Sequence, residues 1–146
     1  RSILADASKI EVISKLNSKL QRNDFMPFAP VTIDIWAERC FAGWKPDHIA
    51  SKFMTTCYKC TTLLKEKCPA IVHLDNTARP QVVFRDENPD YYDTIKNYIE
   101  KTGNPAIINT SFNFHEEPIV MSPYDAIKCY LDGNITALVI GNYLVL

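Results

Sequence analysis

The second half of the chain alternates strand-like and helix-like segments, and this alternation restricts the fold more than any other feature. Asn88-Pro89 forms a helix cap with a first-turn proline, and Gly103 ends the predicted helix. An apolar strand is predicted from Pro105 to Asn109, and Ser122-Pro123 begins another helix that Gly133 ends. The order strand, helix, strand, helix, strand predicts a sheet covered by helices, in the α/β class.

Further elements are predicted in both halves. A helix begins near Ser8, which stands in capping-box spacing to Glu11. Apolar or alternating runs predict strands at residues 31–35, 53–58, 70–74, 81–84, 136–140 and 143–146. The last two strands are joined at Gly141-Asn142, which is typical of a tight hairpin turn.

Composition indicates one ordinary globular domain. The 146 residues are 47% hydrophobic and 23% charged, and this length suffices to bury a sizeable core. A formal net charge of -1 gives no general attraction to nucleic acid or anionic lipid. No apolar run approaches the roughly 20 residues that a membrane span requires. We therefore expect a soluble, cytoplasmic protein that binds neither nucleic acid nor membrane.

A polar cluster follows the predicted strand that ends at Asn109. Ser111 and Asn113 are two residues apart, so an extended backbone projects both side chains to one side while Phe112 turns into the core. Ligands in α/β sheets bind just beyond strand ends, which favours a binding site here to which both polar side chains contribute. The alternative is a polar turn whose side chains satisfy their own backbone.

A second candidate lies in the polar connection at residues 75–80. Arg79 precedes Pro80, and a guanidinium on a stiffened loop suits phosphate or carboxylate oxygens. Thr77 adds a hydroxyl beside it. The alternative is an ordinary surface arginine in a turn. His73 lies on a predicted apolar strand and is interpreted as a hydrogen-bonded core residue rather than a base.

The five cysteines raise the possibility of zinc. Cys57, Cys60 and Cys68 supply three thiols, with a fourth ligand from the set His48, His73 and Cys40, which would make a small zinc-binding interaction domain. The residues around Cys57 have the pattern of a strand, whereas a zinc knuckle has a tight turn beside its cysteines. An odd number of cysteines also fits reduced, unpaired thiols. We therefore expect no structural metal, with the zinc domain as an alternative.

Several short motifs occur in a fixed order along most of the chain: Arg1-Ser2-Ile3-Leu4-Ala5-Asp6, Met26-Pro27-Phe28-Ala29-Pro30, Asp75-Asn76-Thr77-Ala78-Arg79-Pro80-Gln81, Glu87-Asn88-Pro89, Asn109-Thr110-Ser111-Phe112-Asn113, Glu117-Pro118-Ile119-Val120, Ser122-Pro123 and Asp125-Ala126. Together they resemble the C-terminal domain of the O-carbamoyltransferase family that includes nodulation and antibiotic-tailoring enzymes. The chain begins inside what resembles that family's Gly-Pro-Arg-Ala-Leu-Gly-Asn-Arg-Ser-Ile motif. Residues 1–146 are therefore expected to be a single domain excised from a longer chain, without its N-terminal ASKHA-like domain.

The resemblance implies a YrdC-like twisted mixed sheet with packed helices, the α+β variant of the class. It also implies a site that binds carbamoyl phosphate and ATP, with magnesium held by the nucleotide, and that forms carbamoyl adenylate for transfer to a hydroxyl acceptor. Arg79 matches the arginine of the family's Thr-Ala-Arg motif, beside Thr77. Ser111 and Asn113 match its Ser-x-Asn pair, and Arg1 matches a further phosphate-binding arginine.

The chain departs from the family at two places. The family's Lys-x-Arg pair fits only in shifted registers, in which either Arg22 is kept and Leu20 replaces the lysine, or Gln21 and Asn23 replace both. Glu116 stands where the family commonly has glycine, and a carboxylate there repels a triphosphate. These departures favour the alternative of a degenerate, non-catalytic binding or structural module of the same fold.

Overall fold

The computed structural model describes residues 1–20, 27–133 and 135–146. Its strands and helices are, in chain order, β1 (Ser2–Ala5), α1 (Glu11–Lys19), β2 (Ala29–Ile33), α2 (Asp34–Cys40), β3 (Phe41–Ala42), β4 (Tyr58–Cys60), α3 (Thr62–Lys67), β5 (Thr77–Ala78), β6 (Gln81–Val83), α4 (Pro89–Thr102), β7 (Ile107–Ser111), α5 (Pro123–Asp132), β8 (Leu138–Ile140) and β9 (Tyr143–Val145). Two 3₁₀ helices cover Ile49–Phe53 and Pro69–Ile71.

The main sheet has four strands in the order β1-β7-β2-β6. β7 pairs antiparallel with both β1 and β2, whereas β2 and β6 are parallel, so the sheet is mixed as predicted. In this topology the end of β7 lies beside the starts of β1, β2 and β6. We call this part of the sheet, marked by Ser2, Ser111, Ala29 and Gln81, the Ser111 end.

Helix α4 covers one face of the four-stranded sheet. The packed apolar side chains on this face are Val31, Ile33, Val83, Ile107, Tyr92, Ile95 and Ile99. Because side chains alternate along a strand, Gln81 shares this face with Val83, and Asn109 shares it with Ile107. The face is therefore apolar under α4 and becomes polar toward the Ser111 end.

The opposite face packs against α1, α2, α3 and a small sheet of order β3-β4-β5. Its fully buried members include Ile108 from the main sheet, Phe41 from β3 and Leu64 from α3. A separate cluster joins α5 to the hairpin of β8 and β9 through Ala126, Cys129 and Leu138. Among the described residues no helix is long and apolar enough to cross a membrane.

The predicted helix boundaries in the second half are confirmed. The side chain of Asn88 accepts a hydrogen bond from the Tyr91 N–H, and Gly103 ends α4 at a φ of 71°, a left-handed conformation that favours glycine. Ser122 and Asp125 form a capping box at the start of α5. The hairpin predicted around Gly141-Asn142 is also present.

Four predictions for the first half are wrong. Residues 70–74 form no strand, because Pro69 starts a 3₁₀ helix with its preset φ. The strand expected at 31–35 ends at Ile33, where α2 begins. The strand expected at 53–58 begins only at Tyr58. Ser8 bonds to Asp6 instead of capping α1, which begins at Glu11.

Candidate functional site

The topology brings residues from separate parts of the chain to the Ser111 end. Arg79 lies two residues before Gln81 of β6, Ser111 is the last residue of β7, and Arg1 precedes Ser2 of β1. β7 and β6 flank β2, so they lie roughly 10 Å apart at a normal strand spacing. Arg22, also predicted for the site, lies outside the described residues, as do Gln21 and Asn23.

Arg79 is held by a single backbone contact. Its Nη1 donates to the carbonyl oxygen of Met54 at 2.7 Å, just after the 3₁₀ helix that packs beside β6. The side chain is half-buried, and within residues 1–20, 27–133 and 135–146 its guanidinium makes no other hydrogen bond. One nitrogen of the guanidinium is therefore anchored, and the N–H groups of its other nitrogens can donate to an anion.

Ser111 and Asn113 differ in what they offer a ligand. Ser111 is exposed and lies opposite Ser2 of β1. Asn113 uses both amide hydrogens on the following turn, because Nδ2 donates to the carbonyl oxygens of Phe114 at 2.6 Å and Glu117 at 2.8 Å. Its Oδ1 is buried and has no partner in the described part of the chain. Asn113 can therefore accept a hydrogen bond from a ligand but has no hydrogen left to donate.

Asn109 is a candidate site residue that the sequence analysis missed. It is 6% exposed, and its Nδ2 donates to Gln81 Oε1 at 2.6 Å across the sheet. Its Oδ1 is buried without a partner among the described residues. An unsatisfied buried acceptor costs about 1–3 kcal/mol, so this oxygen is suited to a ligand N–H. The sequence does contain a signal for this residue, because Asn109 is an amide at the end of an apolar run and lies two residues before Ser111, on the same side of the strand.

Thr77 and Arg1 are engaged within the protein. The Thr77 hydroxyl donates to Asp75 Oδ1 at 2.6 Å, and this bond is the main reason that the pKa of Asp75 is lowered. His73 Nδ1 lies 3.0 Å from the same hydroxyl, and burial lowers the pKa of His73. Arg1 Nη1 donates to the Val120 carbonyl at 3.3 Å. Ligand contacts by Thr77 and Arg1 remain predictions.

Glu116 occupies a turn conformation that favours glycine. Its φ is +66°, in the left-handed region, and its side chain is exposed. The turn is the one that Asn113 ties together through Glu117. The family's glycine at this position therefore has a structural reason, and this chain carries both a strained backbone and an additional negative charge.

The cysteines do not form a recognisable metal site in the described residues. Cys57 is exposed, whereas Cys40, Cys60 and Cys68 are buried. Burial raises the pKa of Cys40 to about 12 and the pKa values of Cys60 and Cys68 to about 11, which keeps these thiols protonated at neutral pH. No group of three His, Cys, Asp or Glu side chains could hold a metal in the ranges that the structure describes.

Zinc content tests the alternative of a zinc-binding domain. We predict that the purified protein contains less than about one tenth of an equivalent of zinc, because a structural zinc site needs about four ligands and no three candidate side chains come together in the described ranges. Elemental analysis after metal-free dialysis measures it. Stoichiometric zinc, with loss of folding on chelation, would contradict this prediction.

Comparisons with known proteins agree across the whole chain. Residues 1–146 match the family model described as Carbamoyltransferase C-terminus. MJ1058 of Methanocaldococcus jannaschii, an uncharacterized protein, is 41% identical over 99% of this chain and 23% of its own length. The nodulation protein NolO of Bradyrhizobium diazoefficiens is 37% identical over 99% of this chain and 26% of its own length. The chain thus spans about a quarter of the length of these relatives.

A solved structure has a similar fold. The crystal structure of full-length HypF, in a phosphate- and nucleotide-bound form, matches 90% of this chain and 16% of that chain with a TM-score of 0.59. Sequence identity to HypF is 17%, so this likeness concerns the fold. The similarity to HypF agrees with the mixed sheet and packed helices of this chain.

Proposed function

The chain belongs to the carbamoyltransferase C-terminal family, and we propose that it binds carbamoyl phosphate and ATP at the Ser111 end of its main sheet. There water would cleave carbamoyl phosphate to inorganic phosphate and carbamate, and the carbamate oxygen would attack the α-phosphorus of ATP to form carbamoyl adenylate with release of pyrophosphate. Transfer to a hydroxyl acceptor would be completed with the remaining domain of a longer polypeptide. The observation that supports the proposal is that Ser111 ends β7 beside the start of β1, which follows Arg1, and at the same end of the sheet as the start of β6, which follows Arg79.

The phosphate part of the proposal rests on Arg79. Its guanidinium is half-buried and anchored at one nitrogen, and its other N–H groups make no hydrogen bond to the residues that the structure describes, so they can donate to phosphate. Stabilising the charge on phosphate oxygens is the main task of a protein in phosphoryl chemistry. Ser111 adds an exposed hydroxyl at the end of β7, which β2 separates from β6. HypF was solved with phosphate and nucleotide bound, which supports the same ligand class for this fold.

The carbamoyl part of the proposal rests on Asn109 and Asn113. A carbamoyl group ends in NH₂, which donates two hydrogen bonds, whereas phosphate has no N–H group. Each asparagine has a buried Oδ1 without a partner in the described ranges. Asn109 and Ser111 are two residues apart in β7, so their side chains point to one side of the sheet, and Asn113 lies in the turn that follows the strand. The amide oxygens would therefore select the carbamoyl group, while the arginine binds phosphate.

Magnesium would enter with the nucleotide. The residues that the structure describes contain no cluster of carboxylates and imidazoles for a metal, so the phosphates themselves would supply most of its ligands. Bound in this way, the ion would neutralise phosphate charge. Arg79 would complement that charge from the protein side.

Replacement of Asn109 by leucine tests the carbamoyl contact. We predict a loss of roughly 5- to 30-fold in affinity for carbamoyl phosphate, equivalent to about 1–2 kcal/mol for one hydrogen bond in a buried site. Affinity for inorganic phosphate should change by less than about twofold, because phosphate lacks the carbamoyl NH₂ from which this oxygen is proposed to accept, and Arg79 is proposed to bind it instead. Calorimetric titration of both ligands measures the difference.

The matched control for Asn109→Leu is Asn97→Leu, at an exposed position of α4. It should leave both affinities unchanged. Equal losses for carbamoyl phosphate and phosphate in Asn109→Leu would show a general disturbance of the site. No change for either ligand would contradict the assigned role.

A second candidate function, a binding module that has lost adenylation, is favoured by Glu116. At about 8 Å from a triphosphate its charge would oppose binding by roughly 0.5–2 kcal/mol. We predict that ATP binds weakly, that Glu116→Gln tightens it by roughly two- to thirtyfold, and that Glu116→Gly does the same. Titration with ATP and magnesium measures this effect.

The two substitutions separate charge from backbone strain. Glu116→Gly should also raise the free energy of unfolding by about 1 kcal/mol, because glycine adopts a positive φ without a steric penalty. Glu116→Gln keeps the strained backbone and should leave stability unchanged. Tight ATP binding by the parent protein, unaltered in both variants, would show that Glu116 points away from the nucleotide and that the module is a working adenylation site.

A further inference from the structure

The outer edge of β1 carries backbone groups that pair with no other strand among the described residues. The Phe112 N–H donates to the Arg1 carbonyl at 3.2 Å, which makes Arg1 a hydrogen-bonded partner in the antiparallel ladder. Hydrogen-bonded and non-bonded residues alternate, so Ile3 and Ala5 also bond to β7, whereas the N–H and C=O groups of Ser2 and Leu4 point outward. β1 is the last strand of its sheet, and within the described ranges no other strand pairs with this edge.

Two cavities lie along the same edge. A cavity of about 520 Å³ lies between the start of β1 and residues 137–141 of the hairpin, and one of about 370 Å³ lies between β1 and α1. Ile3, Leu4 and Ala137 line both. Arg79, Ser111, Asn109 and Asn113 line neither cavity. The space along β1 is thus separate from the proposed ligand site, except that Arg1 lines the larger cavity.

The hairpin on the far side of this space is itself incomplete. β8 pairs only with β9 among the described strands, so its other edge is open. Val139 and Leu144 lie directly opposite each other in the hairpin and are 74% and 63% exposed, and Val139 also lines the larger cavity. Exposed, paired apolar side chains beside an open strand edge are typical of a surface that another segment covers.

We propose that an extended segment of the same polypeptide, from the part that relatives carry outside this region, adds as a strand to β1 and fills the space between β1 and β8. The relatives are about four times longer than the 146 residues that match them, so such a segment is available in proteins of this family. Its backbone would pair with Ser2 and Leu4, and its apolar side chains would enter the two cavities. The added strand would join the four-stranded sheet to the hairpin.

Hydrogen exchange with single-residue resolution in the full-length protein tests this proposal. The amides of Ser2 and Leu4 should exchange at least about tenfold more slowly than exposed amides, because they would be bonded to the added strand. The amides of Ile3 and Ala5 bond to β7 and report whether β1 itself is folded. Fast exchange at Ser2 and Leu4 beside slow exchange at Ile3 and Ala5 would overturn the proposal.

Ala137→Trp places a bulky side chain in both cavities, from an exposed position outside the core. We expect this variant of the full-length protein to lose the protection at Ser2 and Leu4 and to keep it at Ile3 and Ala5. Ala42→Trp, at an exposed position of β3, is the matched control and should change neither pair. Full protection in Ala137→Trp would overturn the proposal.

A second variant covers the case in which Ala137→Trp unfolds. Ser2→Pro removes one outward N–H from an exposed residue and should lower protection at Leu4, whereas Ser2→Ala keeps the N–H and should not. Protection that appears only at high protein concentration, together with a doubled mass in sedimentation, would assign the edge to a second copy of the chain. That result would also overturn the proposal.

Discussion

Replacement of Arg79 by alanine is expected to weaken the binding of both carbamoyl phosphate and ATP by roughly 10- to 150-fold. A hydrogen bond to a charged group contributes about 1.5–3 kcal/mol, and Arg79 is the half-buried guanidinium that the Met54 carbonyl holds at the Ser111 end. Isothermal titration of each ligand measures the loss. Arg79→Lys should recover only part of it, because an ammonium cannot make the paired bonds of a guanidinium.

Arg85→Ala is the control for the arginine substitution. Arg85 is largely exposed, and its Nη2 lies 3.6 Å from Asp93 Oδ1 in a surface ion pair, which contributes little stability. Its removal should leave ligand affinity and folding unchanged. Thermal unfolding of Arg79→Ala is needed as well, since the bond to Met54 is lost. A folded Arg79→Ala protein with parental affinity for both ligands would contradict the assignment of Arg79.

Replacement of Ile108 by alanine is expected to lower the free energy of unfolding by about 2–5 kcal/mol. Ile108 is fully buried in β7, an inner strand of the main sheet, and packs in the core shared with α1 and the small sheet. The loss combines the transfer free energy of the deleted methyl groups with the cost of the cavity left behind. Chemical denaturation with a constant m-value measures it.

Two substitutions calibrate the effect at Ile108. Ile108→Val should cost about 0.5–1.5 kcal/mol, because it removes one methylene. Ile35→Ala, at a 62% exposed position of α2, should change stability by less than about 0.5 kcal/mol. A loss at Ile108→Ala no larger than at Ile35→Ala would contradict the packing of β7 in the core.

The second half of the fold was predictable because its signals are local. Asn88, Gly103 and Ser122 act on the backbone within a few residues, so their sequence context defines where α4 and α5 begin and end. The Gly141-Asn142 hairpin is equally local. The family resemblance added the mixed sheet, which periodicity does not specify.

The first half was harder because tertiary contacts decide its short elements. The run at 70–74 has the composition of a strand, yet Pro69 starts a 3₁₀ helix that buries Ala70 and Ile71 in the core. β3 and β5 have two residues each and exist only through pairing with β4. Such pairings join residues far apart in sequence, and a local pattern does not encode them.

The site residues named from the sequence remain predictions. The strand order brings the backbone at Arg79, Ser111 and Arg1 to one end of the sheet, and a local sequence pattern does not specify that order. Asn109 was missed because a single amide after an apolar run is interpreted as the end of a strand. Its hydrogen bond to Gln81 is a contact across the sheet, which a local sequence pattern does not predict. Both amide hydrogens of Asn113 are bonded to carbonyl oxygens of the following turn, and the Ser-x-Asn spacing does not predict these bonds.

The binding site is tested most directly by a crystal structure of the protein with carbamoyl phosphate and a non-hydrolysable ATP analogue. Phosphate oxygens are expected at about 2.7–3.0 Å from the Arg79 guanidinium, the distance of a charge-assisted hydrogen bond. The carbamoyl nitrogen is expected within hydrogen-bond distance of Asn109 Oδ1. Ligands bound elsewhere, with Arg79 and Asn109 touching neither of them, would contradict the proposed site.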